Sequence, residues 1–442
     1  MRDMVMFLMV LVLLVLSFRN AFGVYVLWGW SGLIGLAGKM YGFMQSFQIV
    51  MIFALIALVQ VLLRRDPKMG AFKFTGLHLL FLLFALQALI SASFAFSGLA
   101  RNWEIAGDLF KTILYCSLMS ILVTSRFRSY VIVVFIVLAM SYYGLIEGLR
   151  FIASGGAHIS QGDARLGDNN HFAVVVGSSI PLMLYLFLYA KAKPMRLVML
   201  GLMLLTTLAV VTTYSRGGML TLAGMGFLLI LRSRKKLLGF AMVGVLAVTV
   251  VAVAPDAWVN RMGSIKTADN DSSFMGRVKA WKRSSAIALD HPFTGGGFQS
   301  VQNHAVYEKY RYEQGLLGFI ETGVQTYAAA AHSIYFEVMG DMGFVGLFIF
   351  LCIMSSPFFF LSRAKRLSRR IGPSSQWGVD LLTMISIGHF GYLVGGASIS
   401  AAYFEMAYLY VSLAGAVVAI LEVEARRSME QQSPLIRQSA VV

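Results

Sequence analysis

Uninterrupted apolar runs of about 17 to 25 residues recur along most of this chain, each long enough to cross a hydrocarbon layer of roughly 30 Å as a helix. Inside a membrane every backbone N–H and C=O must be satisfied within the protein, which leaves only helices and closed barrels. Barrel strands alternate apolar and polar residues, whereas these runs are continuous. The expected fold is therefore all-α: a polytopic integral membrane protein. Composition agrees, with 58% hydrophobic and 13% charged residues among 442 and a mean hydropathy of +0.73.

A net charge of +16 invites a nucleic-acid reading. It is excluded because the charge is divided among short loops instead of forming one face. Arg64-Arg65, Arg126/Arg128, Lys191/Lys193/Arg196, Arg232/Arg234/Lys235/Lys236 and Arg363 to Arg370 have the distribution of cytoplasmic loop signals. Cys116 and Cys352 both fall inside apolar runs, which argues against a disulfide framework and against a structural zinc site. Met4 to Leu16 has the length of a leader, but Ser17-Phe18-Arg19-Asn20 is a poor cleavage site, so it reads as the first span.

With the basic clusters placed in the cytoplasm, spans fall near 3–18, 44–63, 74–96, 104–123, 130–153, 170–190, 195–213, 217–231, 237–254, 332–360, 380–399 and 402–423. Ala21 to Phe43 is apolar, rich in Gly, and carries Tyr25, Trp28, Trp30 and Tyr41. Trp and Tyr favour the headgroup level, so this segment reads as re-entrant or interfacial. Twelve spans with both ends cytoplasmic result. The chain divides into amino-terminal spans (1–254), a large, partly helical outer loop (255–331), carboxy-terminal spans (332–423) and a polar tail (424–442) expected to be disordered.

Chemistry has few places to live outside the apolar runs. No Gly-Lys-Ser/Thr phosphate loop, strand-linked Gly-x-Gly-x-x-Gly or His-Glu-x-x-His helix is present, and no metal or cofactor is expected. The outer side instead offers arginine, histidine and aromatic residues. Arg165 precedes Asn169-Asn170; Tyr214-Ser215-Arg216-Gly217-Gly218 forms a tight connection; and Arg277 and Trp281 share a helical face over 274–289. Arginine stays protonated and holds phosphate oxygens bidentately, so Arg165, Arg216 and Arg277 could bind a pyrophosphate, although any one of them could equally snorkel toward lipid phosphate. His332, at the head of a span with Tyr335 and Phe336, could take a proton from a hydroxyl near neutral pH; donating to a backbone carbonyl is the plainer role. His291 precedes Pro292 and the Gly295-Gly296-Gly297 run, where a turn explains it as well as a ligand does. Glu337, Asp341, Glu405 and Glu147 are acids within spans, suspect as functional groups or as partners of arginines.

In order, Arg165 with Asn169/Asn170, Ser215-Arg216-Gly217, Arg277 with Trp281, His291-Pro292 with Gly295 and Gly297, and Ala331-His332-Ser333-x-Tyr335 with Glu337, Gly340, Gly343 and Gly346 resemble the O-antigen ligase and polymerase superfamily over roughly residues 160–420. Ser333 stands where that family often has Asn. The region from Met1 to about Ala190 is similar to O-glycosylation ligases associated with exosortase systems. The resemblance implies transfer of an undecaprenyl-pyrophosphate-linked glycan to lipid A–core on the periplasmic side of a bacterial inner membrane, without metal and with inversion. It implies His332, Arg216 and Arg277 as catalytic groups. Arg165, Asn170, Tyr214, Ser215, Trp281, His291 and Tyr335 would bind pyrophosphate or glycan. An O-antigen polymerase, a protein O-glycosylation ligase, and a transporter or flippase are the alternatives.

Overall fold

The structure, a computed structural model, describes residues 2–18, 20–40, 42–163, 165–232, 236, 272–324 and 326–439. The span expected at 237–254 and the start of the outer loop, 255–271, lie outside them. Fifteen α-helices are described: α1 (Arg2–Ser17), α2 (Ala21–Leu33), α3 (Ile49–Leu62), α4 (Gly76–Ser93), α5 (Asn102–Leu122), α6 (Arg126–Ala153), α7 (Asn169–Ser178), α8 (Ile180–Tyr189), α9 (Lys193–Val211), α10 (Arg216–Arg232), α11 (Ser272–Asp290), α12 (His304–Tyr310), α13 (Ile334–Ile371), α14 (Gln376–Gly396) and α15 (Glu405–Ser439). There is no strand among the described residues. Eight helical segments, with α7 and α8 counted as one, are long and apolar enough to cross a membrane, and Phe7–Leu16 and Ile49–Leu62 are shorter apolar helices. The protein is an all-α polytopic bundle.

Side-chain contacts define two ends. At one, the buried Arg128 guanidinium donates to Asp66 Oδ2 at 2.6 Å, Arg126 lies over the rings of Tyr189 and Trp377, and Arg363 pairs with Glu422 at 2.7 Å. At the other, Asn169 Nδ2 donates to Thr213 O at 2.8 Å and the Ser160 N–H to Thr212 O at 3.1 Å. The basic clusters that contact other helices thus meet at one end, and the polar connections before α7 and α10 meet at the other.

Two expectations are corrected. The segment 21–43 is not re-entrant, because α2 runs between the two ends: Arg128 stands over the Phe22 ring at 4.7 Å, while Gly35 abuts the Arg165 side chain. Tyr25 and Trp28 turn inward instead of marking a headgroup layer. The Tyr25 ring stacks on Tyr115 at 4.2 Å, its hydroxyl donates to Tyr115 O at 3.0 Å, and Trp28 meets Tyr115 edge-on. Only glycine fits at 29, where a Cβ would lie 2.1 Å from the Tyr115 hydroxyl. The tail after Val423 is the second correction. It continues α15 as helix to Ser439, as the strong helix formers of Leu421–Gln432 favour.

The centre of the bundle is α13, which packs against α4, α11, α14 and α15. It kinks at Gly343 (φ 68°, ψ −168°), and the groups freed by the kink are satisfied within the protein, as membrane depth requires. The Gly296 and Gly297 N–H groups donate to Gly340 O and Asp341 O at 2.9 and 3.0 Å, and the Phe344 N–H to Pro292 O at 2.9 Å. From α4, Ser91 Oγ donates to Asp341 O at 2.6 Å and Gln87 Nε2 to Met342 O at 3.0 Å. The stretch His291–Gly297 is therefore a plug that completes a broken helix, reached through α11, which covers the helix expected over 274–289.

Candidate active site

The connection between α14 and α15, residues 397–404, gathers the motifs at the end opposite the basic clusters. Gly217, next to Arg216, packs so tightly on it that a Cβ would lie 2.1 Å from Ser398 Oγ. Ser400 Oγ accepts the His332 N–H at 3.0 Å, and the Ala402 N–H donates to Glu337 Oε2 at 2.9 Å. The Phe404 ring lies beneath the Arg165 guanidinium at 5.3 Å and edge-on to His171 at 5.1 Å. Glu405 then pairs with Arg165.

His332 sits two residues ahead of α13 with φ +45°, a left-handed conformation that a non-glycine residue adopts only when its surroundings hold it. Ser400 holds it from one side and α11 from the other. Trp281 Nε1 donates to Ala331 O at 2.7 Å, and the indole stacks on Phe336 at 5.0 Å with 7° between planes. Arg277 lies one turn before Trp281 on the same face. Burial, and then the Arg277 charge, hold the His332 imidazole below its ordinary 6.5, with Asp168 opposing them. The ring is thus neutral near pH 7 and able to accept a proton.

Arg216 opens α10. Tyr214 turns the chain at φ +55°, and Ser215 caps the helix by accepting the Gly218 N–H at 3.1 Å. The Ser215 hydroxyl also donates to Asn170 Oδ1 at 2.8 Å, which sets the first turns of α7 and α10 side by side. Two helix amino termini therefore share one edge, with Arg216 as the first residue of α10, an arrangement that favours an anion.

Not every expected site residue belongs to this edge. Arg165 is paired with Glu405, so it offers little net charge. Tyr335 donates its hydroxyl to Leu393 O at 2.9 Å and ties α13 to α14. His291 lies edge-on to Phe96 at 5.1 Å, within the plug. Trp281 acts on the backbone beside His332. Asp168, Ser400 and Phe404 are the residues that sequence reasoning did not single out. Among the described residues no three His, Cys, Asp or Glu side chains gather as a metal site would require.

Beside the rim, a cavity of about 610 Å³ is lined by α2, α3, α5, α13, α15 and the 397–404 connection, and includes Trp28, Tyr115, Arg165, His171, Glu337 and Ser400. Ser400 is common to both, facing the cavity and holding His332 by its N–H.

The fold and this edge define a polytopic α-helical membrane protein in which Arg277 and two helix amino termini lie beside a neutral His332 imidazole. Residues 200–351, which carry Arg216, Arg277, Trp281 and His332, match the family model described as O-Antigen ligase. That match, over about a third of the chain, supports a likeness of this segment to the O-antigen ligase superfamily. Residues 1–192 match a second model, a family of unknown function (DUF5935). No curated protein matches the chain.

Proposed function

We propose that the protein is an O-antigen ligase, moving a glycan from undecaprenyl pyrophosphate to a sugar hydroxyl of lipid A–core at the periplasmic face of the inner membrane. The observation that carries this reading is the placement of a neutral His332 imidazole within the field of Arg277, beside the paired amino termini of α7 and α10. The acceptor hydroxyl gives its proton to His332 as its oxygen bonds to the anomeric carbon. The bond from that carbon to the pyrophosphate oxygen breaks with both electrons, and the departing pyrophosphate is stabilised by Arg216, Arg277 and the helix amino termini. Attack opposite the leaving group inverts the anomeric centre. The basic clusters at the other end support a cytoplasmic placement for that end, and the α11–α12 region supports Arg277 from the periplasmic loop.

The test is deletion of the gene followed by gel analysis of lipopolysaccharide. Loss of the long-glycan ladder with an intact core is expected. A core bearing a single repeat would instead assign polymerisation, and an unchanged pattern would rule out both.

A further inference from the structure

The rim and the cavity beside it differ in chemistry. At the rim, the cationic groups and helix amino termini suit phosphate. In the cavity the charges cancel: Arg165 pairs with Glu405 and Lys111 with Asp108 at 2.9 Å, which leaves Glu337, one oxygen of which accepts the Ala402 N–H. Such a lining has no net positive charge to draw an anion. It does include aromatic side chains, Trp28 and Tyr115, in its wall together with hydrogen-bonding groups from Ser31, Thr112, Gln299 and Ser400. One polar atom is left over: His171 Nε2 is buried and has no hydrogen-bond partner, on a residue that lines the cavity. A buried, unpaired ring nitrogen costs free energy unless something meets it.

We propose that this cavity binds an uncharged pyranose, stacked on the aromatic wall and hydrogen-bonded through its hydroxyls to His171 and Glu337. The assignment rests on the glycosyl-transfer reading above. It adds that helices α2 and α5, within the segment matching the family of unknown function, supply the aromatic wall of the sugar site, while Glu337, within the segment matching the ligase family, supplies one of its acceptors. Because Ser400 is the shared wall, a sugar held there sits next to the group that positions His332. The sugar could belong to the acceptor or to the glycan of the donor; both present the same hydroxyl chemistry.

Two variants test it without removing a wall. His171→Phe keeps the ring on Phe404 and deletes the unpaired nitrogen; Glu337→Gln keeps an oxygen to accept the Ala402 N–H and replaces the other carboxyl oxygen by an amide. Binding to the purified full-length protein would be measured with three probes: dephosphorylated core oligosaccharide, undecaprenyl pyrophosphate without glycan, and the same lipid carrying one glycan repeat. His171→Phe is expected to be at least as heat-stable as the parent while weakening a sugar-bearing probe about tenfold, as loss of one buried hydrogen bond to a ligand implies. Glu337→Gln should weaken the same probe and leave the glycan-free lipid unchanged. Weakening confined to the core oligosaccharide assigns the sugar to the acceptor; weakening confined to the glycan-bearing lipid assigns it to the donor. If both sugar-bearing probes bind both variants as they bind the parent, the cavity is not a sugar site, and the rim reading stands. If the glycan-free lipid binds Arg216→Ala as it binds the parent, it is the rim reading that fails.

Discussion

Ser400 Oγ accepts the backbone N–H of His332 at 3.0 Å, so the imidazole is positioned by a short connection whose other residues meet Gly217, Glu337 and Arg165. That single loop links three motifs lying far apart in the chain, and a change in it should act on chemistry before it acts on folding.

Ser400→Ala removes the acceptor for an N–H held in a left-handed turn. Transfer should fall about 10- to 100-fold, as displacing a reacting group does, while binding of undecaprenyl pyrophosphate is retained. Ser400→Thr, which keeps the hydroxyl, should recover most of the rate. Steady-state kinetics with the three proteins checks this; parental kcat in Ser400→Ala would show that the hydrogen bond positions nothing.

The pH dependence follows from His332. Its imidazole is held below 6.5 by burial and by Arg277, and the proposed mechanism makes the base form the active one. The rate should therefore be flat through neutral pH and fall only as pH drops through that depressed value, where the ring gains a proton. Arg277→Ala removes one depressing influence, so the acidic limb should move to higher pH, in addition to any loss of rate; Arg277→Lys should leave the limb in place. A pH–rate profile decides it, and a limb that stays put in Arg277→Ala would separate the two residues.

Arg165 and Glu405 pair across the helices that flank the cavity. If Arg165 acts chiefly through that pair, Arg165→Ala and Glu405→Ala should each destabilise the protein, and the double variant should be less impaired than the sum by about 1 to 2 kcal/mol. Denaturation of all four proteins gives the coupling. Additive effects would return Arg165 to the list of residues that bind phosphate directly.

Gly295→Ala places a side chain at φ +65° with its Cβ 2.4 Å from the Asp341 backbone. The conformational strain alone is about 1 to 3 kcal/mol, and the clash adds to it, so the variant should be produced in low yield with a depressed melting temperature. A normally stable Gly295→Ala protein would contradict the plug at the α13 kink.

Much of the bundle was legible because apolar runs of spanning length admit one solution in lipid. The failures have physical reasons. Tyr25 and Trp28 read as headgroup anchors, since a sequence cannot show that Tyr115 offers a stacking partner inside the bundle. Gly295–Gly297 could be a phosphate cradle or a turn until the acceptors of the Gly296 and Gly297 N–H groups, on α13, were known. Of the residue types that point to a site, the structure sets Ser215 against Asn170 and puts Arg277 within electrostatic reach of His332. Ser398–Phe404, a run of small and aromatic residues beside a span, gave no polar signal, although it organises the rest. Glu405 was a suspect acid whose partner only the fold reveals.

The central claim is that His332 serves as the base beside a cationic rim. It is tested most directly by the rate of glycan transfer from undecaprenyl pyrophosphate to lipid A–core in liposomes containing purified full-length protein, parent against His332→Ala, with EDTA present throughout. The account predicts robust transfer by the parent and a loss of about 10²- to 10⁴-fold in the variant, with undecaprenyl pyrophosphate still bound. Equal rates in the two proteins, or a parent silenced by EDTA and revived by a divalent ion, would contradict it.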